Sequence, residues 1–300
     1  MRHKPRRIWP DIIAGLFGMF AAVGRVAASD SCLSMPVTEQ AATAEIERRA
    51  QDGLAIASVN MAGNPRIGDA LASLARDRGF DVLLLQEVGE RSSDGSVFVA
   101  TLGDRLGYHV AYAPADRLGD RETQGLAILS RDPLQDVRTY PLERHHLSFK
   151  SRCRIGLAAT VATTTGPVRL MNVHLDTRIN SRERIAQLEP LLEALDGVEG
   201  PQIIAGDFNT MNIGWLGTMF PMPYAQQQVS AVRKRLEEDG FNTPFGDNQA
   251  TFKFLHLPLR LDWIFLKGLA PFDWSVDTLP FTDHRGVSVR VKRTVDSRAH

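Results

Sequence analysis

The segment Asp81-Val-Leu-Leu-Leu-Gln-Glu87 is a short apolar run that ends in a carboxylate. Runs of this length and composition are typical of strands buried on both faces of a sheet. A carboxylate at the end of such a strand is costly to remove from water unless a cation or hydrogen bonds compensate it. The segment therefore predicts a buried strand that brings Glu87 to one edge of a sheet, where a metal ion could bind.

The sequence on either side of this run predicts the order strand, helix, strand. Leu54-Ala-Ile-Ala-Ser-Val-Asn60 alternates as a strand does. Asn64 and Pro65 then supply an N-cap and a proline suited to the first helical position. The helix that follows would have an apolar face formed by Ile67, Leu71, Leu74 and Ala75.

More strands than helices are predicted in the rest of the chain. Strands are expected at 108–112, 126–130, 153–163, 168–175, 202–205, 261–266 and 287–291. Helices are expected at about 96–106, 181–196 and 225–239. Asn180 and Glu183 form a capping box for the second of these helices, and Pro190 should kink it. The short link from Val161 to Val168 indicates antiparallel neighbours, so we expect a mixed α/β (α+β) fold and not a purely parallel one.

Length and composition indicate one globular domain. The chain has 300 residues, of which 43% are hydrophobic and 23% charged, and no linker divides it. About 250 residues suffice for one large α/β domain. We expect this domain at 53–292, with a tether at 29–52 and a tail at 293–300. A monomer is the starting assumption, because the sequence does not determine the oligomeric state.

The first 28 residues predict a leader for export. Four basic residues precede the apolar stretch Ile12–Gly24, and Ala27-Ala28 provides a cleavage site. The alternative is an uncleaved membrane anchor at 8–24, although a spanning helix needs roughly 20 apolar residues. We expect an exported protein, periplasmic or extracellular. Cleavage would remove five basic residues and one acid and leave a net charge of −4, which does not favour nonspecific binding of polyanions.

Cys32 and Cys153 are the only cysteines, which excludes a metal cluster built from cysteines. Export would permit a disulfide between them. The alternative for Cys153 is a small buried hydrophobic residue.

Further polar clusters follow or precede apolar runs along the chain. A side chain at the end of a buried strand emerges at the rim of the sheet, where it is held rigidly and substrate can reach it. Asn60 would add an oxygen beside Glu87, and Mg²⁺ favours sites with one or two protein oxygens. We therefore expect Mg²⁺, with Mn²⁺ as a substitute. The clusters are Ser-Val-Asn60, Gln-Glu87, Asn172-Val-His174-Leu-Asp176, Gly206-Asp207-Phe-Asn209, Arg260-Leu-Asp262-Trp and Thr-Asp283-His284.

In this order the clusters resemble those of the endonuclease/exonuclease/phosphatase superfamily, over about residues 53–292. The resemblance implies two mixed β-sheets packed face to face with helices on the outer faces. It also implies metal-dependent hydrolysis, in which an activated water attacks phosphorus in line. The implied roles are Asn60, Glu87 and Asp283 for the metal, Asp207 for the water, Asn209 and His174 for the phosphate, and Asp262 as the partner of His284.

Each motif alone has an ordinary structural explanation: Gly-Asp-x-Asn and Asp-His occur in turns, and a single histidine is more often structural. Motifs of competing chemistries are missing from the sequence, which contains no Gly-x-Ser-x-Gly, no His-Glu-x-x-His and no phosphate-binding loop ending in Lys-Ser or Lys-Thr.

The sequence does not determine the substrate class. Lys150, Arg152 and Arg154 would share one strand face and attract phosphate, as would Asn172, which lies on the face of His174. The Met-rich and aromatic segment 211–224 suits either contact with lipid at a membrane surface or cover for the core. We favour an exported phosphodiesterase acting on phospholipid or sphingomyelin-type substrates. The alternatives are a secreted endonuclease or exonuclease cleaving DNA or RNA, an inositol-phosphate-type phosphatase and a noncatalytic scaffold.

Overall fold

The computed structural model describes residues 35–43, 53–89, 95–117, 123–148, 151–163, 166–222, 225, 227–254 and 257–294. The predicted leader at 1–28, the predicted phosphate contact Lys150 and the predicted disulfide partner Cys32 lie outside these ranges. Cys153 is buried and disulfide-bonded. In the described parts of the chain, no helix is both long enough and apolar enough to span a membrane.

Strands dominate the architecture. In chain order, the elements are β1 (Thr38–Gln40), β2 (Leu54–Asn60), a 3₁₀ turn (Pro65–Ile67), α1 (Gly68–Arg78), β3 (Val82–Val88), α2 (Gly95–Leu106), β4 (His109–Arg117), β5 (Thr123–Ser130), β6 (Leu134–Pro141), β7 (Ile155–Thr163), β8 (Gly166–His174), α3 (Ser181–Leu195), β9 (Gln202–Asp207), β10 (Gly214–Leu216), β11 (Phe220–Met222), α4 (Gln228–Glu238), β12 (Phe252–Phe254), β13 (Leu257–Leu259), β14 (Asp262–Lys267), β15 (Leu269–Thr278) and β16 (Arg285–Arg293).

Two large mixed sheets form the framework. The first has seven strands in the order β1-β4-β5-β3-β2-β16-β15, and the second has five in the order β14-β9-β8-β7-β6. Only β2 with β3 and β8 with β9 are parallel among these described strand pairs. The remaining neighbours, including β7 and β8, are antiparallel. The predicted mixed α/β fold with two sheets is confirmed.

Strand β3 shows why the central run is apolar at every position. Val82 and Leu84 lie in the core between the two sheets, together with residues of the second sheet. Leu83 and Leu85 point the other way, into a core that the first sheet shares with α1 and α2. Helices α3 and α4 pack on the second sheet. Since both faces of β3 are covered, neither face can be polar.

The predicted helices are present with boundaries shifted by up to three residues, and the capping box at Asn180 and Glu183 is formed. Strand β1, the short hairpins β10–β11 and β12–β13, and two long strands were not predicted, and β1 brings Thr38–Gln40 of the predicted tether into the first sheet. The two long strands are β6 and β15. Each is an edge strand with much exposed surface and an irregularity in its pairing. Such strands carry mixed polar and apolar residues and lack a clean alternation.

The topology collects several strand ends at one rim of the molecule. β2 and β3 are parallel and end together, as do β8 and β9. β14 runs antiparallel to β9 and starts opposite its last residue, with Asp262 paired to Asp207. β16 runs antiparallel to β2 and starts near the end of that strand. The polar clusters of the sequence therefore meet at this rim, between the two facing sheets.

Candidate active site

Five of the predicted site residues converge at this rim in two overlapping groups. Glu87, His174 and Asp207 form one group, and Asp207, Asp262 and His284 form the other. Within each group the candidate ligand atoms lie within 4.8 Å of one another. Asp207 belongs to both groups and is the centre of the arrangement.

The electrostatics of Asp207 match the needs of a bound cation. Burial, followed by the charge of the nearby Asp262, raises the pKa of this carboxyl to about 7. The raised pKa shows that the ionised form lacks compensation when no cation is present. A divalent ion beside Asp207 would supply that compensation, and carboxylate oxygens such as those of Asp207 and Glu87 are ligands that hard divalent cations prefer. The described residues therefore fit a metal-dependent site.

Glu87 reaches the site because the backbone of β3 is irregular at its end. The pairing of β3 with β5 shifts register between Leu85 and Val88, and Glu87 has φ = 52°. A bulge of this kind re-aims a side chain, and positive φ at a non-glycine residue is often found at functional sites. One Glu87 oxygen accepts a hydrogen bond from Gln124 Nε2 at 3.2 Å. The carboxylate is thus held at the rim while remaining partly accessible.

Asn60 does not offer an oxygen to the site, which corrects the prediction that it is a metal ligand. Its Oδ1 accepts the backbone N–H of Ala62 at 2.9 Å. Its Nδ2 donates to Asp207 Oδ2 at 2.9 Å and to Glu87 Oε1 at 3.3 Å. Asn60 therefore links the two carboxylates across the gap between the sheets.

His284 and Asp262 are paired as predicted. His284 Nδ1 lies 2.9 Å from Asp262 Oδ2, and both residues are buried. Burial alone would lower the pKa of His284, but the carboxylate of Asp262, followed by those of Asp207 and Asp283, raises it to about 10. The other ring nitrogen, Nε2, lies 4.0 Å from Asp207 Oδ2. His284 therefore presents a protonated nitrogen towards the centre of the site.

His174 is held in a defined orientation by Arg154, a role that the sequence analysis missed. Arg154 Nη1 lies 3.0 Å from His174 Nδ1, and Arg154 Nε donates to Asp176 at 3.1 Å. Burial, followed by the charge of Arg154, holds the pKa of His174 well below its ordinary value. Since Nδ1 accepts from Arg154, the proton of the neutral ring is on Nε2, 3.5 Å from Asp207 Oδ2.

The sequence contained a signal for this role, because the spacing of Arg152 and Arg154 predicts that both lie on one strand face near the phosphate. Asp176 is fully buried and accepts Gln187 Nε2 at 3.0 Å as well as Arg154. Asp176 thus helps to hold His174 in place indirectly, through the arginine.

Asn209 is buried next to Asp207. Its backbone N–H donates to Asp207 Oδ1 at 2.8 Å, and its Nδ2 donates to Leu175 O at 2.9 Å. These bonds tie the segment after β9 to the segment after β8. Contact between Asn209 and phosphate stays a prediction.

Three other predicted residues lie outside the two groups. Asp283 is exposed next to His284, and its role as a metal ligand stays a prediction. Asn172 is fully buried, and its Nδ2 donates to Leu85 O and Ala127 O, so it cannot contact phosphate. Arg152 lies at a pocket beside Glu87, but it is paired with Asp116 at 3.2 Å.

Two facing mixed sheets with this acidic and histidine-containing rim define a metal-dependent phosphoester hydrolase. The chain belongs to the Endonuclease/Exonuclease/phosphatase family, whose model matches residues 57–284. Members of the family are divalent-metal-dependent hydrolases of phosphoesters, so the predicted superfamily and enzyme class are confirmed.

Solved structures of the same fold come from several bacteria. An endonuclease/exonuclease/phosphatase from Beutenbergia cavernae DSM 12333 is 20% identical, with a TM-score of 0.64 over 81% of this chain and 72% of that chain. A 3′ phosphatase from Neisseria, bound to a product DNA hairpin, is 19% identical, with a TM-score of 0.57 over 80% and 99%. A mannosyl-6-phosphatase from Bacteroides thetaiotaomicron is 16% identical, with a TM-score of 0.57 over 80% and 100%. No curated protein sequence matches this chain significantly.

Proposed function

We propose that this enzyme is a Mg²⁺-dependent phosphodiesterase, with Mn²⁺ as a substitute, that acts on phospholipid or sphingomyelin-type substrates. One observation carries the choice of substrate: large apolar side chains are exposed on three segments that adjoin the catalytic rim. We call these side chains the apolar rim. They are Leu216 (64% exposed), Met219 (41%), Phe220 (51%), Met222 (50%), Leu257 (39%) and Phe281 (44%).

Each segment of the apolar rim is tied to a residue of the site. The β10–β11 hairpin begins a few residues after Asp207, and the side chain of Asn180, in the segment after His174, bonds both backbone groups of Trp215. The β12–β13 hairpin lies against His284 through Phe252, and Phe281 is three residues before His284. Apolar groups around the mouth of a site are expected where substrate is taken from a lipid surface.

The alternative explanation of 211–224 as cover for the core accounts poorly for these side chains. Residues that cover a core lose most of their exposure, as Met211 does at 9%. The four apolar residues of the hairpin instead keep 41% to 64% of their surface in solvent. They are thus available to contact a partner surface.

The charge at the site also favours lipid over nucleic acid. Both described arginines of the predicted basic stripe are neutralised, Arg152 by Asp116 and Arg154 by Asp176. A nuclease that follows a phosphate backbone needs unpaired cations along its groove. A single phosphodiester held by the catalytic residues does not.

The residues of the site can be given roles in the proposed hydrolysis. A bound divalent cation would stabilise negative charge on the phosphoryl oxygens. Asp207, at the centre of the site, can orient the attacking water and take its proton. His284, kept protonated by Asp262, can donate a hydrogen bond or a proton to the reacting phosphate, and His174 can donate through Nε2. No covalent intermediate is needed.

The test is an assay of the purified protein against sphingomyelin or phosphatidylcholine vesicles, plasmid DNA and inositol phosphates, each with Mg²⁺, Mn²⁺ or EDTA. We expect release of phosphocholine with Mg²⁺, loss of activity in EDTA, and no activity in Glu87→Gln or His284→Gln. Activity that survives EDTA or either substitution would show that the site is wrongly assigned. Nicking of plasmid without turnover of lipid would replace the lipid proposal by the nuclease alternative.

A matched pair of variants tests the apolar rim by itself. Phe220→Ser should lower hydrolysis of vesicles about fivefold, because about 1 kcal/mol of apolar contact is lost, while hydrolysis of soluble bis(p-nitrophenyl) phosphate stays the same. Phe272→Ser is the control, since Phe272 is similarly exposed at 46% but lies on edge strand β15. Equal effects of the two substitutions would show that the apolar rim has no specific role in hydrolysis of vesicles.

The lipid proposal also includes export through the predicted leader. N-terminal sequencing of the protein recovered from outside the cytoplasm tests this, and a mature terminus near residue 29 is expected.

A further inference from the structure

Thr251 lies immediately before β12 and is fully buried beside the His284–Asp262 pair. Its Oγ1 accepts two backbone hydrogen bonds, from the N–H of Leu261 and from the N–H of Asp262, each at 3.0 Å. Two consecutive N–H groups directed at one oxygen fix the orientation of the peptide between them. The direction in which Asp262 projects its side chain is therefore set by the Thr251 hydroxyl.

The same residue also contacts the other half of the pair. The carbonyl of Thr251 accepts the N–H of Arg285, the residue after His284, at 2.7 Å. The next residue, Phe252, is bridged to His284 through the backbone, and its ring centroid lies 4.9 Å from that of the imidazole. Thr251 thus joins the chain around Asp262 to the chain around His284.

We propose that Thr251 is a positioning residue that sets the geometry of the His284–Asp262 pair. The carboxylate lies on β14 of the second sheet and the imidazole on the residue before β16 of the first sheet, so no single sheet fixes their separation. The Thr251 hydroxyl and carbonyl supply a link between them that does not depend on contacts between the sheets. The hydroxyl and carbonyl of Thr251 bond backbone groups of Leu261, Asp262 and Arg285, so Thr251 acts through the pair.

Substitutions of Thr251 can separate the effect of its oxygen from the effect of its shape. Thr251→Val keeps the shape of the side chain but removes the acceptor oxygen, whereas Thr251→Ser keeps the oxygen and removes a methyl group. Losing the acceptor leaves two buried N–H groups without a partner, which favours a shift of the backbone at Asp262. A displacement of about 1 Å in a catalytic group can reduce the rate about 100-fold.

The experiment combines kinetics with spectroscopy of His284 in the full-length protein. Thr251→Val should lower kcat for bis(p-nitrophenyl) phosphate by about 10- to 100-fold with little change in KM, and Thr251→Ser should recover most of it. The ¹H–¹⁵N signals of the His284 ring, assigned through their loss in His284→Gln and recorded in EDTA, should shift in Thr251→Val and stay near their wild-type positions in Thr251→Ser. Ser130→Ala is the matched control, because Ser130 Oγ accepts a backbone N–H from Asp132 at the opposite end of the first sheet.

A Thr251→Val protein with normal kcat and unshifted His284 signals would overturn the proposal. Equal losses in Thr251→Val, Thr251→Ser and Ser130→Ala would do so too, since they would indicate general destabilisation. If Thr251→Val does not fold, Thr251→Ala and Thr251→Ser, which differ by the oxygen alone, give the same comparison. The kinetic part rests on the proposed phosphodiesterase activity. Absence of any hydrolysis in the wild type would therefore count against that function, and the ring signals would still test the positioning.

Discussion

His284 Nδ1 lies 2.9 Å from Asp262 Oδ2 and 3.1 Å from Oδ1, so one imidazole nitrogen faces both oxygens of a buried carboxylate. Burial lowers the pKa of His284, and this contact is the largest of the effects that raise it; with the charges of Asp207 and Asp283 it brings the pKa of the ring to about 10. Protonation of His284 therefore persists throughout the neutral range, and its chemistry depends on Asp262.

Asp262→Asn should lower kcat by about 100-fold or more, which is within the range that general acid catalysis contributes. The amide carries no charge to stabilise the imidazolium, so the pKa of the buried His284 should fall in this variant. The alkaline limb of the pH–rate profile should accordingly move to lower pH. The profile is measured with bis(p-nitrophenyl) phosphate from pH 5 to pH 10. A variant with a reduced rate but an unmoved alkaline limb would show that Asp262 does not control the charge of His284.

The same pair predicts how stability depends on pH in the absence of metal. A folded-state pKa of about 10 lies above the ordinary histidine value of 6.5, so His284 contributes stability that is complete below about pH 6.5. This contribution is lost as the pH rises towards 10. We expect the difference in unfolding free energy between the wild type and Asp262→Asn, measured by urea denaturation in EDTA, to shrink from pH 6 to pH 10. Groups outside the pair titrate alike in both proteins, so their contributions cancel in this difference. A difference that stays constant with pH would contradict the raised pKa of His284.

Metal binding should stabilise the folded protein, and more strongly as the pH rises through about 7. Asp207, with its pKa raised to that value, must lose its proton to bind a cation. A concentration of Mg²⁺ or Mn²⁺ about 100 times Kd corresponds to about 2.7 kcal/mol, or about 5 °C in Tm for a protein of this size. Thermal unfolding at pH 6 and pH 8 measures this, with Glu87→Gln as the variant that should lose the shift. Asp273→Asn is the control, since Asp273 is exposed and lies on edge strand β15.

The central strands and the ends of these strands could be predicted because their sequence pattern is local. A strand covered on both faces must be apolar at every position, and the polar residue that ends it must lie at the rim. This reasoning places Glu87, His174 and Asp207 correctly on the strands β3, β8 and β9. Edge strands such as β6 and β15 carry no such constraint and were missed.

The detailed roles of side chains could not be predicted, because they depend on contacts between distant segments. Whether Asn60 presents its oxygen or its nitrogen is set by the N–H of Ala62 and the carboxylate of Asp207. Asn172 shares a strand face with His174, yet the first sheet covers it completely. Alternation along a strand indicates the face but not what packs against that face.

Arg154→Lys should lower kcat about tenfold, because lysine keeps the charge but cannot bond His174 and Asp176 at once in a fixed geometry. The His174 ring would then lose the partner that keeps its proton on Nε2. Arg131→Lys is the control. Arg131 Nε also bonds two partners, Phe80 O and Tyr108 Oη, but it lies at the end of the first sheet opposite the site. A change in kcat as large in the control as in Arg154→Lys would rule out a specific role for Arg154.

Asn172→Leu should destabilise the protein by about 3 kcal/mol without raising KM. Asn172 Nδ2 bonds two carbonyls of the first sheet, and its Oδ1 accepts Gln86 Nε2 at 2.8 Å. Substitution leaves these buried groups without their partner, at about 1–3 kcal/mol for each group that stays unsatisfied.

Combining Asn172→Leu with Gln86→Leu should cost less than the sum of the two single substitutions, because each removes the partner of the other. Urea denaturation of the four proteins in the cycle gives this coupling. A different outcome, in which Asn172→Leu is stable but has a raised KM, would restore the role in phosphate binding that its sequence position suggested. The expected result would instead show that Asn172 joins the two sheets, so that Glu87 on the first sheet and His174 and Asp207 on the second are held at a fixed separation.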